Sequence, residues 1–128
     1  MSADRDSLVE QAKALVGEFA LTKPSLTAAA VGAALESSSG RIYTGINLDL
    51  ACGIGFCAEH SAVAEMLKSR ETVVRRIVAP CGRCRELLVQ VDPRNLDCQV
   101  LLPNDASATL RELLPNAWLE QLLVQKRA

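Results

Sequence analysis

Apolar positions change their spacing several times along the chain, and the changes mark out elements. Ser7 followed by Glu10 reads as a capping box that opens a helix. Leu8, Ala12, Leu15 and Phe19 then fall on one helical face, and Pro24 ends the segment. Ala28 to Leu35 is small and apolar with no helical repeat. Ser37-Ser38-Ser39-Gly40 forms a turn, and Arg41 to Leu48 alternates, with Ile42 and Thr44 on one face and Tyr43 and Gly45 on the other. These two runs predict a β-hairpin whose first strand is covered on both faces. Asp49 to Phe56 carries two glycines and is expected to be a loop.

From Cys57 onward, Ala58, Ala62, Val63 and Met66 form a helical stripe that ends near Lys68. Thr72 to Ala79 is β-branched and predicts a strand, broken by Pro80. Cys84, Leu88 and Val91 form a second stripe, stopped by Asp92-Pro93. Cys98 to Leu102 predicts a further strand and Leu110 to Leu114 a helical turn. Trp118, Leu119, Leu122 and Leu123 suit a closing helix. The order α-β-β-α-β-α-β-(α) predicts an α/β fold with a mixed β-sheet between helices. The two helices opening at Cys57 and near Cys81 are expected to pack side by side, each following a strand of one sheet.

The 128 residues suit one domain over 1–128, long enough to bury a core without disulfide support. Acidic and basic residues nearly balance, for a net charge of -1, so there is no basic excess for a nucleic-acid backbone to reward. The longest apolar run, Ala28 to Leu35, is too short to span a bilayer. Met1 to Asp6 is polar and acidic, with no basic region before an apolar core, which points to a cytoplasmic, reducing compartment. Five cysteines in such a compartment are not expected to form a disulfide framework. Cys52 and Cys98 are expected to be small buried hydrophobes.

The other three cysteines carry chemistry. Cys57-Ala58-Glu59 lies where a Gly-rich loop enters a helix, and Pro80-Cys81-Gly82-Arg83-Cys84 where a strand enters one. A helix N-terminus favours thiolate over thiol, and thiolates suit a soft divalent metal. Three of them on Zn²⁺ leave one tetrahedral position open, where a water becomes a hydroxide near neutral pH. Glu59, two residues beyond Cys57, is placed to shuttle protons to and from that water. The combination of C-x-E with P-C-x-x-C, each at a helix start, resembles the signature of the zinc deaminases of nucleobases.

On these motifs the chain resembles the cytidine deaminase family, of the all-cysteine zinc class and the blasticidin-S-deaminase-like subgroup. The matching stretches are Val31-Gly32-Ala33-Ala34, Gly40 to Asn47, Cys57-Ala58-Glu59, Pro80 to Arg85 and Glu112-Leu113-Leu114-Pro115. The resemblance implies a three-layer α/β/α sandwich. It also implies a homotetramer and a zinc-dependent hydrolysis that converts cytidine or deoxycytidine to uridine or deoxyuridine with release of ammonia. A modified cytosine nucleoside such as blasticidin S is the alternative substrate.

Carried over, Cys57, Cys81 and Cys84 are the ligands of one Zn²⁺ per chain. Glu59 protonates the ring nitrogen and then the leaving amine. Asn47 matches a ribose ligand, and Asp49 stands, one methylene shorter, where the family has a Glu. Trp118 matches an aromatic that packs near a substrate site across a subunit boundary. The interval between Cys57 and Cys81 is shorter than the family pattern, and His60 stands where many relatives have Arg. No nucleic-acid or membrane partner is expected.

Two other readings stay open. His60, three residues from Cys57, could complete a closed Cys₃His zinc site used only for folding, which leaves Glu59 and Asn47 as coincidences. Cys81 and Cys84 could be a thiol redox pair, which leaves Cys57 unexplained.

Overall fold

The structure, a computed structural model, describes residues 2–51, 56–78 and 82–115. Helix α1 spans Ser2–Ala14, so it begins earlier than the Ser7–Glu10 capping box predicts. Ser7 lies inside the helix, where its hydroxyl accepts a hydrogen bond from Gln11 at 3.3 Å. Leu8 and Ala12 are buried as predicted, but the stripe stops there. Phe19 belongs to a two-residue strand, β1 (Phe19–Ala20), and is exposed.

The predicted hairpin is present as β2 (Thr27–Ser37) and β3 (Ile42–Asp49), paired antiparallel. Helix α2 spans Ala58–Lys68, β4 Val74–Val78 and α3 Gly82–Val91. A 3-10 helix follows at Pro93–Asp97, capped by the Asp92 side chain on the Arg94 N–H. Two short strands, β5 (Gln99–Leu101) and β6 (Ser107–Thr109), precede a single turn, α4 (Leu110–Leu113), which opens with a Thr109–Glu112 capping box. Neither β1 nor β6 is long enough to show alternation in the sequence. Trp118 and the predicted closing helix lie outside the described residues.

The sheet is mixed. β2 pairs antiparallel with β1, β3 and β4, β4 pairs parallel with β5, and β5 antiparallel with β6. Strand alternation divides the core into two layers. Ala33, Leu35, Ile77 and Val100 pack with Ala62, Val63 and Met66 of α2 and with Leu88 and Val89 of α3. Ala34 and Leu101 face the other way and pack on Leu8 and Ala12 of α1. From Ala33 to Leu35 the first hairpin strand is covered on both faces, as its lack of polar alternation predicts, whereas Ala30 and Val31 are exposed.

Close backbone approach sets the helix positions. A Cβ on Gly45 would stand 2.5 Å from the Ala58 carbonyl oxygen and 2.5 Å from Ser61 Cβ, so the start of α2 rests directly on β3. Gly45→Ala is expected to lower stability by about 1–3 kcal/mol in denaturant unfolding, through overpacking that neither element can absorb. An unchanged midpoint would show that α2 does not sit this tightly. On the far side of the core, the fully buried Asn95 accepts the Val74 N–H and donates to the Thr72 and Leu88 carbonyls, tying the 3-10 helix to β4 and α3.

Candidate metal centre

β3 and β4 both run antiparallel to β2, so their carboxyl ends lie at the same end of the sheet. The chain enters α2 and α3 from that end, which brings the two helix N-termini together. Phe56 forms a bridge with Leu48, so the residue before Cys57 is held against the last turn of β3. Cys57 is the N-cap of α2; its carbonyl accepts the His60 N–H at 3.0 Å, and its side chain makes no capping hydrogen bond. The thiol therefore stays at the positive end of the helix instead of being spent on it.

Cys57, His60 and Cys84 bring one ligand atom each within 4.8 Å of one another. Cys84, in the first turn of α3, is completely buried, and its Sγ lies 3.5 Å from His60 Nδ1. Burial and the nearby Arg83 charge hold the His60 pKa below its usual value, against a smaller opposing pull from Glu59. Two thiols and a neutral imidazole at this spacing fit Zn²⁺ and account, among the described residues, for three of its four tetrahedral positions.

This corrects the all-cysteine expectation. The described residues define a Cys–His–Cys set in which His60 joins Cys57 and Cys84. The reason is helical geometry: residues three apart share a face, so His60 comes to lie beside Cys57 at the mouth of α2. Cys81 lies outside the described residues, as does Cys52. The C-x-x-H spacing signals His60 as a candidate ligand in the sequence, there as the fourth member of a closed Cys₃His site and not as one of a Cys–His–Cys trio.

Glu59 is buried next to this cluster but is not one of its three members. The Cys84 thiol donates to its Oε2 at 3.3 Å. Asn47 and Asp49 lie on β3 two residues apart, on the same face as Gly45 and hence on the side where α2 begins. Asn47 Oδ1 accepts the Val31 N–H at 2.8 Å. Arg85 reaches the Leu113 carbonyl at 3.2 Å, so it braces α3 against α4. Cys98 is buried, and its thiol pKa is pushed up to about 12 by burial and by Asp97, as suits a structural cysteine.

Residues 3–99 match the cytidine and deoxycytidylate deaminase zinc-binding region, and the chain belongs to that family. It is 34% identical over 106 residues to a cytidine deaminase of Shewanella pealeana, an alignment covering 77% of this chain and 35% of that protein. The chain thus spans about a third of the length of these Shewanella relatives. It is 32% identical to blasticidin-S deaminase of Bacillus cereus, over 66% of this chain and 74% of that one. The fold matches the crystal structure of cytidine deaminase from Burkholderia pseudomallei with a TM-score of 0.69 at 25% identity, covering 88% of this chain and 98% of the other. The three-layer arrangement of helices on a mixed sheet is that of the cytidine deaminases. Among the described residues no helix is long and apolar enough to cross a membrane.

Proposed function

We propose that this chain is a zinc-dependent cytosine-nucleoside deaminase, acting as one domain over 1–128 and converting cytidine or deoxycytidine to the uridine counterpart with release of ammonia. The observation that carries the reading is the buried Glu59 carboxylate set against the Cys57–His60–Cys84 cluster. Cys57, His60 and Cys84 would hold a Zn²⁺ ion, which would supply Lewis-acid activation of a water near neutral pH. Glu59 takes the proton given up by that water, delivers it to the ring nitrogen, and later carries a proton to the departing amine. Burial keeps this carboxylate out of bulk solvent, so the proton it accepts is passed to substrate. Asn47 and Asp49 hold the sugar hydroxyls, and Trp118 contributes to substrate binding. The working form is a cytoplasmic homotetramer that takes a small nucleoside and neither nucleic acid nor membrane.

The likeness to blasticidin-S deaminase supports a second reading, a modified cytosine nucleoside as substrate. Ammonia release from cytosine, cytidine, deoxycytidine, 5-substituted cytidines, blasticidin S and adenosine separates the two. Cytidine or deoxycytidine is expected to lead free cytosine by at least about tenfold, because a missing sugar leaves the Asn47 and Asp49 groups without partners. A clear lead for cytosine or adenosine would remove the sugar-binding role of both residues, and a lead for blasticidin S would select the second reading.

A further inference from the structure

Asn47 stands opposite an irregularity in β2. The β2–β3 register runs Ala28↔Leu48 and then Gly32↔Ile46, so Ala29, Ala30 and Val31 all face the single residue Asn47. Ala29 turns the chain into this bulge with a φ of 67°, in the left-handed region that L side chains rarely adopt. It is held there from behind: Ala29 is buried, and its carbonyl accepts the Gly17 N–H at 2.9 Å. Gly32, at the end of the bulge, has its Cα tucked under the Ala12 carbonyl of α1, where a Cβ would come within 2.1 Å of the oxygen. The strained segment is therefore fixed on one side by α1 and the residues that follow it, and free to serve β3 on the other.

What it offers β3 is a backbone donor. The Val31 N–H, displaced from an ordinary ladder position, is taken by Asn47 Oδ1. A side-chain amide has an accepting end and a donating end, and here the accepting end is spent. Asn47 Nδ2 makes no hydrogen bond among the described residues, and Asp49, exposed two residues further along the same face, is acceptor-only when ionised.

We propose that the Ala29–Val31 bulge is a positioning device for Asn47. It locks Oδ1 onto the Val31 N–H and presents Nδ2 as a donor to a sugar hydroxyl oxygen, while Asp49 accepts the hydroxyl proton. This rests on the sugar-binding reading of Asn47 given under the proposed function. The bulge thus fixes the polarity of the site: a hydroxyl, which both accepts and donates, satisfies the pair, whereas a group that only donates or only accepts does not.

Steady-state kinetics test it. Asn47→Asp keeps the acceptor for Val31 but has no donor, and is expected to raise KM for cytidine about tenfold or more, the loss falling on KM and not on kcat. With 2′,3′-dideoxycytidine, which lacks both hydroxyls, the same substitution is expected to change KM less than about twofold. Ala29→Val leaves Asn47 intact but disfavours the left-handed bulge, and is expected to raise KM for cytidine in the same way. Ala29→Gly, which takes that conformation freely, is expected to restore it. Variants that lose only thermal stability while KM stays fixed would overturn the positioning role, as would an equal penalty with the dideoxy substrate. If Ala29→Val fails to fold, the Asn47→Asp comparison across the two substrates still decides. Wild-type protein that releases no ammonia from any cytosine nucleoside overturns the functional reading and this inference together. An active wild type with an unaltered Asn47→Asp KM overturns this inference alone.

Discussion

Glu59→Gln is expected to fold, to keep its zinc, and to lose roughly 10²–10⁴-fold in ammonia release. The substitution preserves side-chain volume at a position that is only 7% exposed, so little repacking follows. The amide oxygen can still accept from the Cys84 thiol in the metal-free protein, the contact that the carboxylate makes at 3.3 Å. What the amide cannot do is bind a proton and return it. Zinc content and the unfolding midpoint should match wild type while turnover collapses. Near-normal turnover would take Glu59 out of the mechanism.

Cys84→Ala is expected to have the other large effect, reducing zinc affinity by at least about 100-fold, since even outer partners of metal ligands are worth ~10–100-fold. Cys84 is completely buried and reaches across to α2, so among the described residues its loss leaves only Cys57 and His60, both at the start of α2. His60→Ala should also release the metal, because His60 completes the described trio. Metal analysis after dialysis against a weak chelator reads both: about one zinc per chain in wild type and much less in either variant. Zinc held by His60→Ala at wild-type affinity would take His60 out of the ligand set. Zinc held by Cys84→Ala would dismantle the site altogether. Because ligand thiols must lose their protons, affinity in the wild type should also fall as the pH is lowered.

Where an element owes its form to a local repeat, the chain announced it. The Ala58, Ala62, Val63 and Met66 stripe places α2 almost to the residue, and Asp92-Pro93 marks where α3 stops. The Ala33–Leu35 stretch of β2 was legible as doubly covered because the run from Ala28 to Leu35 has no polar positions to turn toward water. Elements that depend on distant partners were not. Phe19 fits the periodicity of α1, but the helix ends at Ala14 and Phe19 pairs with Ala28 in another strand. The left-handed Ala29 carries no sequence signal, since alanine is a poor marker for that conformation. At the candidate site, the clustering of Cys57, Glu59 and Cys84 was legible because helix starts and short spacings are local facts. His60 was visible as a spacing, but its weight depends on Cys84 arriving from α3.

The placement of the metal-binding trio on two helices has a kinetic consequence. The β2–β3 hairpin and α2 are contiguous in the chain, so less chain entropy is lost in closing them than in returning β4 to β2 at Leu35↔Ile77. That unit already contains Asn47, Glu59, Cys57 and His60. Cys84 comes with the β4–α3–β5 crossover, whose parallel pairing is slower to establish. A newly made chain would thus present a half-site to solvent before the second helix docks. Zinc captured at that stage would act as a clasp, drawing the late crossover onto the early hairpin, so metal supply would influence the yield of folded protein as well as its activity.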